Sequence, residues 1–214
     1  MKNLIFLLTA ASLIAGCDSS FRTRGPVTTE KRSIAGFHGV NTDAVAEITL
    51  VNDNTSFVEV TTNQNFQPLI TTEVNDGVLQ VSQKRDFTFP GGTKVTVTVH
   101  TSSLDELALS GVGSIKTQNS FPFDRIKLTL SGVGSMNISG SAHLAIMENS
   151  GAGSINTRSM VTDSVLASNS GVGSIQCNAV KYLKADVSGV GSISYTGDAV
   201  VEKSVSGVGS VHKE

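Results

Sequence analysis

Six near-copies of one pentapeptide, Ser-Gly-Val-Gly-Ser, recur through the second half of the chain, and a chain built this way must stack. The copies occupy residues 110–114, 131–135, 150–154 (with Ala152 for Val), 170–174, 188–192 and 206–210. Successive copies begin about 18 to 21 residues apart, a period that belongs to solenoids and other stacked repeats. Aligning them turns the sequence into columns. The centre is Val112, Val133, Ala152, Val172, Val190 and Val208, and the residue after the pentapeptide is Ile115, Met136, Ile155, Ile175, Ile193 and Val211. The next column is polar throughout: Lys116, Asn137, Asn156, Gln176, Ser194 and His212. The one after holds Thr117, Ile138, Thr157, Cys177, Tyr195 and Lys213. Apolar, polar, then largely apolar or Thr is a period of two, so each copy leads into a short strand.

A helix is excluded, because two glycines per repeat would weaken it and the alternation is not 3.6. The glycines predict tight corners, since glycine reaches positive φ without strain. They are Gly111, Gly113, Gly132, Gly134, Gly151, Gly153, Gly171, Gly173, Gly189, Gly191, Gly207 and Gly209. One coil cannot stand alone. Ordering costs roughly 1.5 kcal/mol per residue, and each buried aliphatic side chain returns only about 1.5 to 3 kcal/mol. Stacking supplies inter-coil hydrogen bonds and a continuous aliphatic core. The expected fold is all-β, a single-stranded parallel β-helix, right-handed because parallel crossovers nearly always are. Five residues before the leading Ser, the five later copies hold Ile126, Ala145, Val165, Leu183 and Val201, an apolar column that suits the core. Immediately before it, Asn149 and Asn169 occupy equivalent places in adjacent coils. They predict an amide ladder, with a ligand site as the alternative.

Residues 1–16 read as a lipoprotein signal peptide. Lys2 precedes an apolar run over residues 4–15 that is short for a transmembrane helix. The run ends in Leu13-Ile14-Ala15-Gly16-Cys17, which resembles the bacterial lipobox and implies lipidation of Cys17; an ordinary secretory signal is the alternative. More than one acyl chain at one residue would anchor the protein stably in a membrane. Asp18 resembles the enteric signal for retention in the inner membrane, facing the periplasm, with the outer membrane as the other address. Residues 17–32 then read as the lipidated cysteine and a flexible tether. Residues 33–214 read as one domain.

Within that domain, residues 33–103 lack the pentapeptide yet remain β-like, and 104–214 carry the regular repeats. Asn52-Asp53-Asn54-Thr55, Asp76-Gly77 and Pro90-Gly91-Gly92 separate short alternating runs. These runs are either early coils with longer loops or a sheet that caps the solenoid's open end.

The opening Arg32-Ser33-Ile34-Ala35-Gly36-Phe37-His38-Gly39-Val40, the Leu79-Gln80-Val81 segment and the serial Gly-x-Gly-Ser-Ile units resemble the head GIN domain family, also called "putative autotransporter adhesin" domains. Gly153-Ser154-Ile155-Asn156 comes nearest the family's name. The resemblance covers nearly the whole mature chain and implies a β-helical extracytoplasmic domain, often on a lipoprotein, with no established activity. The chain is expected to depart from a true autotransporter, with no barrel-forming segment after Glu214.

Motifs for chemistry are scarce. Gly111-Val112-Gly113-Ser114 lacks the third glycine of a dinucleotide fingerprint and the Gly-Lys-Ser/Thr ending of a P-loop. Calcium-binding β-rolls need a repeated Asp where this chain holds Ser or Ile. His38, His100, His143 and His212 show no metal-ligand spacing, so no metal or cofactor is expected. Cys177 reads as a buried, inert thiol. A polysaccharide lyase or hydrolase would need clustered carboxylates. Glu148, Asp163, Asp186, Asp198 and Glu202 are read as lying in different columns, and Arg158 with Asp163 as a surface pair. With no Trp and only 5% aromatic residues, a sugar-stacking groove is weakly supported. A formal charge of −2 without basic blocks offers nothing to nucleic acid. The expectation is a non-enzymatic, lipid-anchored envelope protein. The column Lys116, Asn137, Asn156, Gln176, Ser194 and His212 would face a polymer or protein partner, or only solvent. The alternative is a periplasmic scaffold or envelope-stress component that self-associates by end or edge stacking.

Overall fold

A computed structural model describes residues 25–34, 36–84 and 87–214. The first strands are β1 (Val27–Arg32), β2 (Gly39–Thr42), β3 (Val45–Asn52), β4 (Phe57–Asn63), β5 (Ile70–Asn75), β6 (Val78–Gln83) and β7 (Thr96–Thr101), with one 3-10 turn at Gln64–Leu69 between β4 and β5. The repeats contribute β8 (Glu106–Leu109), β9 (Val112–Thr117), β10 (Phe121–Pro122), β11 (Arg125–Leu130), β12 (Val133–Asn137) and β13 (Gly140–Asn149). They continue as β14 (Ala152–Asn169), β15 (Val172–Val187), β16 (Val190–Thr196), β17 (Val200–Val205) and β18 (Val208–Lys213).

Parallel ladders turn these strands into a β-solenoid of about five turns. One side stacks β6, β2, β8, β11 and the ends of β13, β14 and β15 on β17. After the glycine corner, a second side stacks β7, β3, β9, β12, the starts of β14 and β15, β16 and β18. A short third side links β10, β13, β14 and β15. The register is the one the alignment gives: Val133 pairs with both Val112 and Ala152, and Ile126 with Ala145, then Val165, Leu183 and Val201. Ile115, Met136, Ile155, Ile175 and Ile193 are fully buried and Val211 nearly so, forming one wall of the core.

The beginning of the domain is both coil and cap. β2 and β3 form a full coil, but one inserted between β6–β7 and β8–β9. β4 then runs antiparallel to β7, β1 antiparallel to β4, and β5 antiparallel to β6. Antiparallel strands end the parallel ladder without presenting a coil for further stacking.

Two expectations are corrected. The tether does not extend to residue 32, because Val27–Arg32 is strand β1, in register from Val27 with Asn63 to Arg32 with Val58. Its β-branched residues suit a strand, and Arg32 locks it by donating to the carbonyls of Ile70 (2.8 Å) and Gln67 (3.2 Å). The second correction concerns the glycines. Only the first of each pair sits at the bend, and the second lies inside the following strand. At Gly173, for example, φ is +139° and a Cβ would overlap the Gly153 carbonyl oxygen of the preceding coil. That column needs glycine for close approach between coils more than for turning. The signal peptide, Cys17 and Asp18 lie outside the described residues.

Candidate functional site

The second side of the solenoid presents three outward columns. Because Ile115 and its equivalents point in, the residues one before and one after them point out. The middle column is Glu47, Ser114, Ser135, Ser154, Ser174, Ser192 and Ser210. Beyond it runs the predicted polar column, extended by Thr49, which pairs with Lys116. On the corner side runs the centre of the pentapeptide: Val45, Val112, Val133, Ala152, Val172, Val190 and Val208. These six valines are 48–73% exposed. Isolated exposed valines are ordinary, whereas a continuous apolar stripe is a feature to be explained.

The polar column is less uniform than its sequence predicts. Lys116, Asn137 and His212 are exposed, and Asn156 and Gln176 are half-buried. Ser194, expected to be outward and open, is only 4% exposed. The cause is the end of the chain. Glu214 accepts a hydrogen bond from Ser194 and forms an ion pair with Arg158, a clasp along the edge of the column. The Ser194 hydroxyl and the Arg158 guanidinium hold the Glu214 carboxyl below its ordinary range. Lys116, Asn137 and Asn156 do come together, lining an open groove with Ser139 and Ser159 where the second side turns into the third.

This architecture has solved counterparts. A family model described as "Putative auto-transporter adhesin, head GIN domain" matches residues 36–199. The chain belongs to the head GIN domain family. A structure named as a "putative adhesin" from Bacteroides fragilis is similar at a TM-score of 0.71 and 24% identity, covering 88% of this chain and 97% of that one. A "Putative lipid binding protein" from Parabacteroides distasonis gives a TM-score of 0.67 and 20% identity, over 89% of this chain and 97% of its own. A "putative adhesin" from Parabacteroides merdae gives 0.58 and 21%, over 89% and 97% respectively. No curated protein matches in sequence.

Elsewhere on this head GIN domain, polar side chains pair locally. Asn149 and Asn169 form the expected ladder: both are buried, and Asn149 Nδ2 donates to Asn169 Oδ1 at 3.1 Å. Each also donates to a glycine carbonyl in its own coil, Gly153 at 3.3 Å and Gly173 at 2.9 Å. Cys177 is fully buried between Thr157 and Tyr195, and burial pushes its thiol up to about 12. Arg158 and Asp163 do not meet. Asp163 instead accepts from Lys181 (2.9 Å) and lies 3.1 Å from His143, and these contacts hold its carboxyl below the ordinary range. Glu148 and Asp186, read as lying in different columns, share one, with Ser168 on the rung between. The groove beside them is open, and Glu148 pairs with Lys127 at 3.2 Å. Among the described residues no group of three or more His, Cys, Asp or Glu could hold a metal ion, and no helix is long and apolar enough to cross a membrane.

The exposed valine column is what sequence reasoning missed. Val112 stands three residues before inward Ile115, an odd offset that puts the two on opposite faces of a continuous strand. Placing Gly113 at a corner broke that count.

Proposed function

We propose that this head GIN domain is a non-enzymatic binding module, anchored to the cell envelope by lipid on Cys17. Its second side engages an envelope polymer or protein. The observation that carries this reading is the stretch of that side from β3 to β18: seven rungs whose three outward columns hold Val, Ser and mostly uncharged polar residues in repetition, with Glu47, Lys116 and His212 the charged or titratable groups of those columns. Flat, extended faces suit extended partners, whereas small molecules are held in concave pockets. The relatives named as adhesins point the same way. End-to-end stacking is disfavoured. In the last coil Lys203 continues the inward column of Leu128, Met147, Ala167 and Ala185, and Lys213 continues that of Cys177 and Tyr195. A stacked copy would bury ammonium groups at inward positions, a recognised edge defence.

The test is the triple variant Asn137→Glu, Asn156→Glu, Gln176→Glu, compared with the parent chain for capture by envelope fractions. The expected result is lost capture with an unchanged circular dichroism spectrum; unchanged capture refutes the assignment of this side. Protease shaving of intact and permeabilised cells then locates the domain outside the cell or in the periplasm.

A further inference from the structure

Resting on that reading of the second side as a binding surface, we propose that it pairs face to face with a second copy of this chain, rung order reversed.

The valine column carries the argument. In spatial order it reads Val45, Val112, Val133, Ala152, Val172, Val190, Val208. It is palindromic about Ala152, three valines on either side. A two-fold axis parallel to the strands through the Ala152 rung therefore sets Val45 against Val208 of the second copy, Val112 against Val190 and Val133 against Val172. Such an isologous contact closes on itself and forms a dimer, not a fibre.

Charge selects the same arrangement. With the rungs reversed, Glu47 lies against Ser210 of the second copy and one column from His212, while Lys116 lies against Ser194. No like charges face each other. With the rungs in the same order about an axis along the serine column, Glu47 would face Glu47 and Val112 would face Lys116. Like charges placed opposite each other across an interface are disfavoured.

Size is sufficient for a weak dimer. Seven rungs at about 4.8 Å span about 29 Å, and the outer columns stand about 13 Å apart along the strands. With a side-chain margin this is roughly 500 Å² per copy, about 1,000 Å² in all, the lower bound for a specific interface. Two sheets facing at about 10 Å interdigitate their side chains as in a β-sandwich. The expected affinity is micromolar or weaker.

The test uses the full chain carrying Cys17→Ser, followed by sedimentation velocity over a concentration series into the high micromolar range. The parent should pass from monomer to dimer. Val133→Glu and Val172→Lys should each abolish the dimer, since each sets a charge against valine. The double variant should restore it, because Glu at 133 then faces Lys at 172 of the other copy. Both sites are exposed, so the circular dichroism spectrum should not change; if either variant misfolds, Val133→Thr with Val172→Thr keeps β-branching and should weaken association several-fold. A parent that stays monomeric overturns the pairing, as do single variants that still dimerise. Singles that dissociate without rescue overturn the reversed register. A monomeric parent that still captures an envelope partner overturns the pairing alone and leaves the binding reading standing.

Discussion

The Asn149–Asn169 ladder provides the sharpest test of what holds the coils in register. Both side chains are buried, in a column where Leu109 and Leu130 precede them and Val187 and Val205 follow. Leucine is therefore the substitution the neighbouring coils already accommodate. Asn169→Leu removes the bond to the Gly173 carbonyl and the one received from Asn149. At about 1 kcal/mol net per bond, plus the cost of facing a buried amide proton with hydrocarbon, the loss is about 2–3 kcal/mol. Asn149→Leu removes the bonds to Gly153, Asn169 and the Gly151 amide. The Gly151 amide keeps the Leu130 carbonyl at 3.0 Å, so it is not orphaned, and the loss is again about 2–3 kcal/mol. Each single variant strands its partner's amide, and the double variant strands neither. The double should therefore cost about 1–2 kcal/mol less than the sum. Urea unfolding of the four proteins measures the cycle, with equal m-values required before midpoints are compared. Additivity within about 0.5 kcal/mol would refute the claim that the two amides satisfy each other.

Gly173→Ala forces alanine to φ near +139° and drives its Cβ into the Gly153 carbonyl, so a loss of about 3 kcal/mol or more is expected in the same assay. Gly91→Ala, whose Cβ meets nothing within 4 Å, should stay within about 0.5 kcal/mol of the parent, and equal costs for the two would refute the close-approach argument. His38 Nδ1 lies 2.8 Å from Asp105 Oδ1, and that hydrogen bond, then the carboxylate's charge, raises the imidazole above its ordinary value. Raised in the folded state, this group contributes stability that is fully present below the unfolded imidazole value and lost as pH rises through the folded one. Asp105→Asn should bring the His38 midpoint down toward the ordinary value in an NMR titration and flatten that dependence; an unmoved midpoint sinks the assignment.

Much of this was legible in the sequence because a stacked coil repeats its own solution. Once the pentapeptides are aligned, the columns containing Ile155, Asn149 and Cys177 fall on the core, and all three side chains are buried. Legibility stops where a column's neighbours come from elsewhere. Nothing in the local pattern shows that β2 and β3 enter between later strands, since both orders bury Val40, Ile48 and Leu50 equally well. The strand at Val27–Arg32 was hidden because its partner is β4 and its lock is a single arginine reaching Ile70. Ser194 was misjudged for a related reason. Its column says outward, but the Arg158–Glu214 clasp, set by residues far apart in sequence, closes over it.

The exposure of the valines has a physical consequence. In a single repeat, Val172 is one apolar residue between glycines, and burial is the economical guess. Across the stack the same residue recurs in a solvent-facing column, where each valine gains only lateral contact with its neighbours at about 4.8 Å. Burial in the core therefore cannot be what these valines contribute. Exposed serine or threonine would keep the strand and remove the aggregation liability that a continuous apolar stripe carries. The serine column beside it shows that this chain can place hydroxyls at outward positions in the same strands. Six valines in outward register are what the proposed second copy would cover, and a search for any further partner of this side takes in the valine column together with the amides of the polar column.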